Sequence, residues 1–214
     1  MPKEIRNRAS VAWGRKGGVL PLSSILLAMA AMSGCATRVE EDAASDARTV
    51  FIGPELPFRL PEWRTPDRPV DAVQRLTGTF GGQTVSVQVR VSITDSGLEA
   101  VGLDAFGRRG FRIRWNADGI AAQRAEGMPE TVKPGNVLAD IVFAHWPADI
   151  LGAVLEPQGF SLRETPGERD ILREDKPIVH VSYGVSARDA WNGNLTLSNR
   201  PFGYEIAVDS REIH

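Results

Sequence analysis

Cysteine is almost missing from this chain. Cys35 is the only one among 214 residues, so no disulfide can form within it. Histidine is nearly as scarce. His145, His180 and His214 are too few and too badly spaced for a zinc site, no His-x-x-x-His or equivalent cluster occurs, and no metal is expected. The Gly-x-Ser-x-Gly elbow of hydrolases, a dinucleotide fingerprint and a phosphate loop are absent as well. No nucleophile–base pair can be named, so the chain is read as a non-enzyme that needs no cofactor. No apolar run is long and clean enough to make a comfortable membrane-spanning helix. Charge of one sign is not in large excess either, with 25 Lys+Arg against 27 Asp+Glu.

What the N-terminus does contain is an address. Lys3, Arg6, Arg8, Arg15 and Lys16 form a basic region relieved only by Glu4, and an apolar run from Val19 to Ser33 comes after it. That is the order of a secretory signal, assigned to residues 1–34. The run ends in Met32-Ser33-Gly34-Cys35, which resembles the lipobox of bacterial lipoproteins, with Met32 in place of the usual Leu. The resemblance implies that Cys35 carries a diacylglycerol. The alternative is an uncleaved anchor with an incidental cysteine. One myristoyl chain gives only marginal membrane binding, at ~0.8 kcal/mol per buried methylene, so two or three chains make a stable anchor. By the same resemblance, Ala36 after the cysteine sorts the protein to the outer membrane, facing the periplasm. Without residues 1–34, 20 basic residues face 26 acidic ones, a formal charge of −6. That argues against nucleic acid or an anionic membrane surface as the main partner.

Residues 35–69 read as a lipidated N-terminus and a tether. Residues 40–46 are small and acidic, and Pro54, Pro57, Pro61, Pro66 and Pro69 punctuate the remainder of the segment. Such a composition predicts an extended linker with an end-to-end distance of roughly 30–35 Å as a coil. Val50, Phe51, Ile52 and Trp63 are the residues within it able to dock on the body.

The body, residues 70–214, is the size of one domain and has no internal repeat. Val85, Val87, Val89, Val91 and Ile93 alternate with Ser86, Gln88, Arg90 and Ser92, which predicts a half-buried antiparallel strand. Turn signals at residues 94–97, 107–110 and 116–119 separate a returning strand over 98–106 from another over 111–115. Further alternation falls at 160–164, 178–183, 195–198 and 204–208. Between the two groups, Asn136 to Leu155 reads as a helix capped by Asn136 and broken at Pro147, apolar nearly all round. Its first half must be enclosed. Asp140, the odd residue on it, needs a buried partner such as Arg169 and is read as structural. The fold class is mainly β with helices (α+β), a curved antiparallel sheet with helices on one face.

Leu138-Ala-Asp-Ile141 running to Trp146-Pro147, with Phe106-Gly107 before it and Gly203-Tyr204 near the end, resembles a domain-of-unknown-function family of bacterial lipoproteins grouped with LolB, the outer-membrane receptor for lipoproteins. The resemblance covers roughly Leu76 to Val208. It implies an incomplete LolB-like barrel closed by helices around an apolar cavity, with lipid, lipoprotein or aryl-polyene cargo. The cavity lining it points to is Phe80, Phe106, Phe111, Ile113 and Trp115 from strands with Leu138, Val142, Phe143 and Trp146 from the helix. The bland alternative packs these into a solid core. Arg108 and Arg109 are placed either at the mouth, meeting anionic headgroups, or in a solvated turn. The functional expectation is a lipid-anchored carrier that needs no catalysis. Its rival is an envelope assembly adaptor with a solid core. Partner proteins and oligomeric state are not legible.

Overall fold

Burying one face of an alternating strand requires strands on both sides and a cover over the apolar face, and both are present. The computed structural model describes residues 47–64, 68–80, 83–126, 128, 130, 132–184 and 191–213, all within the contact-defined unit Thr37–His214. Residues 1–34, expected to be a secretory signal, lie outside the described residues, as do Cys35, Ala36 and His214. In chain order the strands begin with a hairpin, β1 (Thr49–Gly53) and β2 (Leu56–Arg59). A first group comes next, β3 (Val70–Phe80), β4 (Gln83–Thr94), β5 (Gly97–Leu103), β6 (Arg109–Asn116) and β7 (Gly119–Arg124). Helices α1 (Pro134–His145) and α2 (Ala148–Leu155) come after it. The chain ends in β8 (Phe160–Thr165), β9 (Glu168–Arg173), β10 (Lys176–Tyr183), β11 (Gly193–Asn199) and β12 (Tyr204–Glu212).

Ten strands form one antiparallel sheet in the order β7-β6-β5-β4-β3-β12-β11-β10-β9-β8, not closed into a barrel. Two meanders, β3–β7 and β8–β12, meet where the first and last strands pair, from Glu205 opposite Thr79 to Glu212 opposite Ala72. The helices therefore connect the two outer edges of the sheet, β7 to β8, and lie over its inner face. Val87, Val89, Val91 and Ile93 of β4, Ile113 and Trp115 of β6, and Val179 and Val181 of β10 are buried there. Ser86, Gln88 and Arg90 point out. The outer face carries cross-strand ion pairs such as Asp71–Arg90 and Glu99–Arg112, which guide register more than they stabilise.

The segment expected to be a tether supplies part of the core. Val50, Ile52, Phe58 and Leu60 are all buried, and the Phe58 ring meets Phe143 at 5.1 Å and Phe160 at 6.1 Å. Each such side chain contributes about 1.5–3 kcal/mol of apolar burial. Packed structure thus begins well before residue 70. The β1–β2 hairpin also explains α1. Every residue from Asn136 to Ala144 is buried because the sheet covers one side and β1 packs against another. The two prolines of the hairpin fit: Pro54 is in the turn, and Pro57 is exposed in a short edge strand where no ladder bond is lost.

The break at Pro147 is where the sequence places it. Trp146 closes α1 in an extended conformation (φ −73°, ψ 145°), as the residue before a proline must. The start differs. Lys133, not Asn136, is the N-cap, and Pro134 begins the helix, its missing N–H being one of the unpaired donors anyway. Lys133 has extended cap geometry (φ −98°, ψ 121°) but no side-chain bond to the helix. Lys133→Ser is accordingly expected to raise stability by about 1 kcal/mol, measured as a higher urea midpoint at unchanged slope. An unchanged midpoint would mean the first turn is fastened some other way.

Candidate functional site: a cleft at the start of the first helix

Residues four and three apart on α1 share a face, and Lys133, Asn136, Val137 and Asp140 form such a stripe. It faces a cleft whose other walls are Leu76, Gly78, Val85 and Val87 of β3 and β4, Phe111 of β6, and Tyr204 and Ile206 of β12. The walls are mostly carbon. The cavity volume is about 40 Å³, which is room for roughly three or four water- or methylene-sized groups.

Among the polar side chains of this lining, Asp140 is the acid. Asp140 is 9 % exposed, and its Oδ2 accepts a hydrogen bond from the Tyr204 hydroxyl at 2.8 Å. Its Oδ1 is buried with no hydrogen-bond partner among the described residues. Burial, only partly offset by the Tyr204 hydrogen bond, pushes the Asp140 carboxyl up to about 8. The Tyr204 phenol is itself pushed far up by burial and by the neighbouring carboxyl, so it remains a neutral donor. Asn199 approaches from behind, its Nδ2 3.4 Å from the Tyr204 oxygen and 3.2 Å from the Ile52 carbonyl.

The opposite end of α1 is built differently. The expected Asp140–Arg169 pair does not form. Arg169 instead donates through Nη1 to the carbonyls of Phe143 and Trp146, both at 2.9 Å, and through Nη2 to Glu164 at 3.0 Å. Tyr183 adds a hydrogen bond from its hydroxyl to the Ala144 carbonyl at 2.7 Å. These are the carbonyls a helix C-terminus leaves unpaired, and a cation there also opposes the helix dipole. Beside them the His145 ring stacks on Trp191 at 3.8 Å, and its Nε2 lies 3.0 Å from Gln74. His180 sits on the outer face, its Nδ1 2.8 Å from Asp170.

The residues expected to line a cavity whose side chains are described separate into three groups. Phe111 borders the cleft. Ile113, Trp115, Leu138, Val142, Phe143 and Trp146 fill the core, with Trp115 and Trp146 rings 5.2 Å apart and Trp63 5.1 Å from Trp115. Phe106 is 83 % exposed, because β5 ends at Leu103 and Asp104 folds a turn by accepting from the N–H groups of Phe106 and Arg108, both at 2.9 Å. Phe80 is the last residue of β3, and its side chain lies outside the described residues. Arg108 pairs with Asp104 at 2.7 Å and lies over the Phe106 ring, while Arg109 opens β6 in solvent. Sequence reasoning had named Asp140 and Tyr204 without joining them, and it missed Lys133 and Val137 as lining. Their spacing was the signal available. A second, polar groove of about 430 Å³ lies on the outer face, walled by Arg75, Thr77, Ser182, Asn194, Thr196 and Asp209.

The family model described as "Protein of unknown function (DUF3261)" matches residues 71–212. The chain belongs to the DUF3261 family. The DUF3261 match takes in β3 to β12 and both helices and leaves the β1–β2 hairpin before it. No curated protein matches the sequence. Among solved structures, a DUF1329 family protein from Desulfovibrio piger is similar at 8 % identity and a TM-score of 0.32, over 68 % of this chain and 85 % of that one. So slight a likeness bears on neither site nor function.

Proposed function

We propose that this DUF3261 protein is a non-enzymatic acceptor or carrier of lipid chains, held at the periplasmic face of the outer membrane through lipidated Cys35 followed by Ala36. The observation that carries this reading is the apolar cleft at the uncapped start of α1. In the form described it accommodates the end of a chain, roughly three or four methylenes, worth about 2–3 kcal/mol. A whole acyl chain needs the first turn of α1 to move outward. That turn has no side-chain cap, whereas the other end of α1 is tied by Arg169 and Tyr183. A cleft as apolar as a bilayer lets a chain pass between the two at little net free energy, so no chemistry is required. The LolB-like comparison and an aryl-polyene cargo rest on the resemblance of Leu138-Ala-Asp-Ile141 and Trp146-Pro147.

Residues 37–214 purified without detergent are expected to carry lipid adducts in native mass spectra, and Val137→Trp, which fills the cleft, is expected to remove them. Adduct-free protein would refute the reading. The filled core around Trp115, Trp146 and Phe143 favours a second one, an assembly adaptor without a ligand. That reading is preferred if Val137→Trp leaves both lipid content and cellular function unchanged.

A further inference from the structure

The cleft is lined mostly by carbon, and besides Lys133 and Asn136 at the start of α1 its polar side chains are Asp140 and Tyr204. Asp140 Oδ2 is occupied by the Tyr204 hydroxyl, and Asn199 behind that phenol fixes its proton towards Asp140. Oδ1 is left with nothing among the described residues to bond to, although it is buried. Native interiors seldom leave such an atom unpaired, and an occupant able to pair with it gains over one that cannot. Resting on the lipid-chain reading above, we propose that the group accepted in this cleft is an acyl chain with its carbonyl at Asp140, as an ester, an amide or a fatty acid, in preference to a plain hydrocarbon.

The chemistry is complementary. Oδ2 accepts from Tyr204, so the acid proton falls to Oδ1, which donates to the carbonyl oxygen of the occupant. Burial keeps that proton in place at neutral pH by raising the carboxyl to about 8. The chain then lies against Val137, Leu76 and Val87. An ionised carboxylate would repel a carbonyl oxygen, and an aliphatic side chain would be indifferent to it. The hydrogen bond from Oδ1 therefore adds discrimination to a slot whose lining is mostly apolar.

The test uses the full chain reconstituted in phosphatidylethanolamine and phosphatidylglycerol vesicles with a trace of one of two diazirine probes. The probes have equal chain length, one a methyl ester and the other an alkane. After irradiation, label on Val87, Phe111 and Val137 is mapped by mass spectrometry and normalised to label on bulk lipid. The ester is expected to label these residues about tenfold more than the alkane. Asp140→Leu is expected to bring the ester down to the level of the alkane, and Asp140→Asn to retain the preference through its amide N–H. Equal labelling by the two probes in the unaltered protein overturns the carbonyl assignment while leaving a lipid cleft, and needs no variant to fold. An ester preference that survives Asp140→Leu overturns it too. Absence of label from either probe in the cleft overturns the lipid-chain reading with it.

Discussion

Replacing Arg169 with methionine is expected to lower the unfolding free energy by about 3 kcal/mol or more, although the substitution keeps most of the apolar stem. The Arg169 side chain is 8 % exposed, and its guanidinium satisfies the Phe143 and Trp146 carbonyls at once. Without it two buried acceptors at the end of α1 lose their donors, at about 1–3 kcal/mol each. Glu164 contributes little to this loss, because it is 41 % exposed and water takes over. Arg90→Met is the control. It breaks a bidentate pair with Asp71, but on the open outer face, so the urea midpoint should hardly move. Equal midpoints for the two variants would show that α1 is not held by Arg169.

That prediction depends on a pairing the sequence did not show. Asp140 and Arg169 are the buried ions of opposite sign on α1 and β9, and joining them was the economical reading. Both solved their burial separately. Asp140 does so by keeping its proton against Tyr204, and Arg169 by taking backbone carbonyls, which carry no signature in the side-chain sequence. The same blindness hid two strands. β3 places Ala72, Gln74 and Gly78 on the inner face, and Gln74 is buried there only because Ser210 and His145 meet its amide at 2.9 and 3.0 Å. β9 reads as a charged turn until Arg163 and His180 are seen to flank Asp170 from the neighbouring strands. By contrast β4 and β6 were legible, since their inner positions are uniformly aliphatic or aromatic and period two needs no partner to be recognised. The enclosure of α1 was legible too, but not what encloses it. Five prolines between residues 54 and 69 masked the hairpin that does.

The overrun of β5 to Phe106 has the same origin. Alternation continues through Asp104 if that residue is counted as an outward polar position. Its carboxylate instead collects two backbone N–H groups and the Arg108 side chain, which ends the strand. Local side-chain-to-backbone bonds of this kind compete with the ladder and win where a turn is due.

Asp140 makes stability depend on pH in the direction opposite to an ordinary salt-bridged carboxylate. Its pKa is raised by burial from 3.8 in the unfolded reference to about 8 in the folded protein. Between those values the folded chain holds a proton that the unfolded chain has released, so the contribution is complete below pH 3.8 and is lost as pH rises through 8. Stability should fall by up to about 1.4 kcal/mol per pH unit across that window. The ionisable groups lining the same cleft are Lys133 and Tyr204, and Tyr204 stays protonated throughout the window. Asp170 and Glu99 oppose the trend at the acidic end. Burial raises the Asp170 carboxyl, but His180 and Arg163 together outweigh it and hold it below the usual range, as Arg112 does for Glu99, so both lose stabilisation as pH falls through their folded values. The two trends are separated by Asp140→Asn, which cannot ionise and keeps an acceptor for Tyr204. Urea midpoints at pH 5 and pH 8 are expected to differ by a margin worth several kcal/mol in the unaltered protein, and to converge in the variant. A flat profile in the unaltered protein would mean that water or an open cleft solvates Asp140, and the neutral donor on which carbonyl recognition depends would not exist.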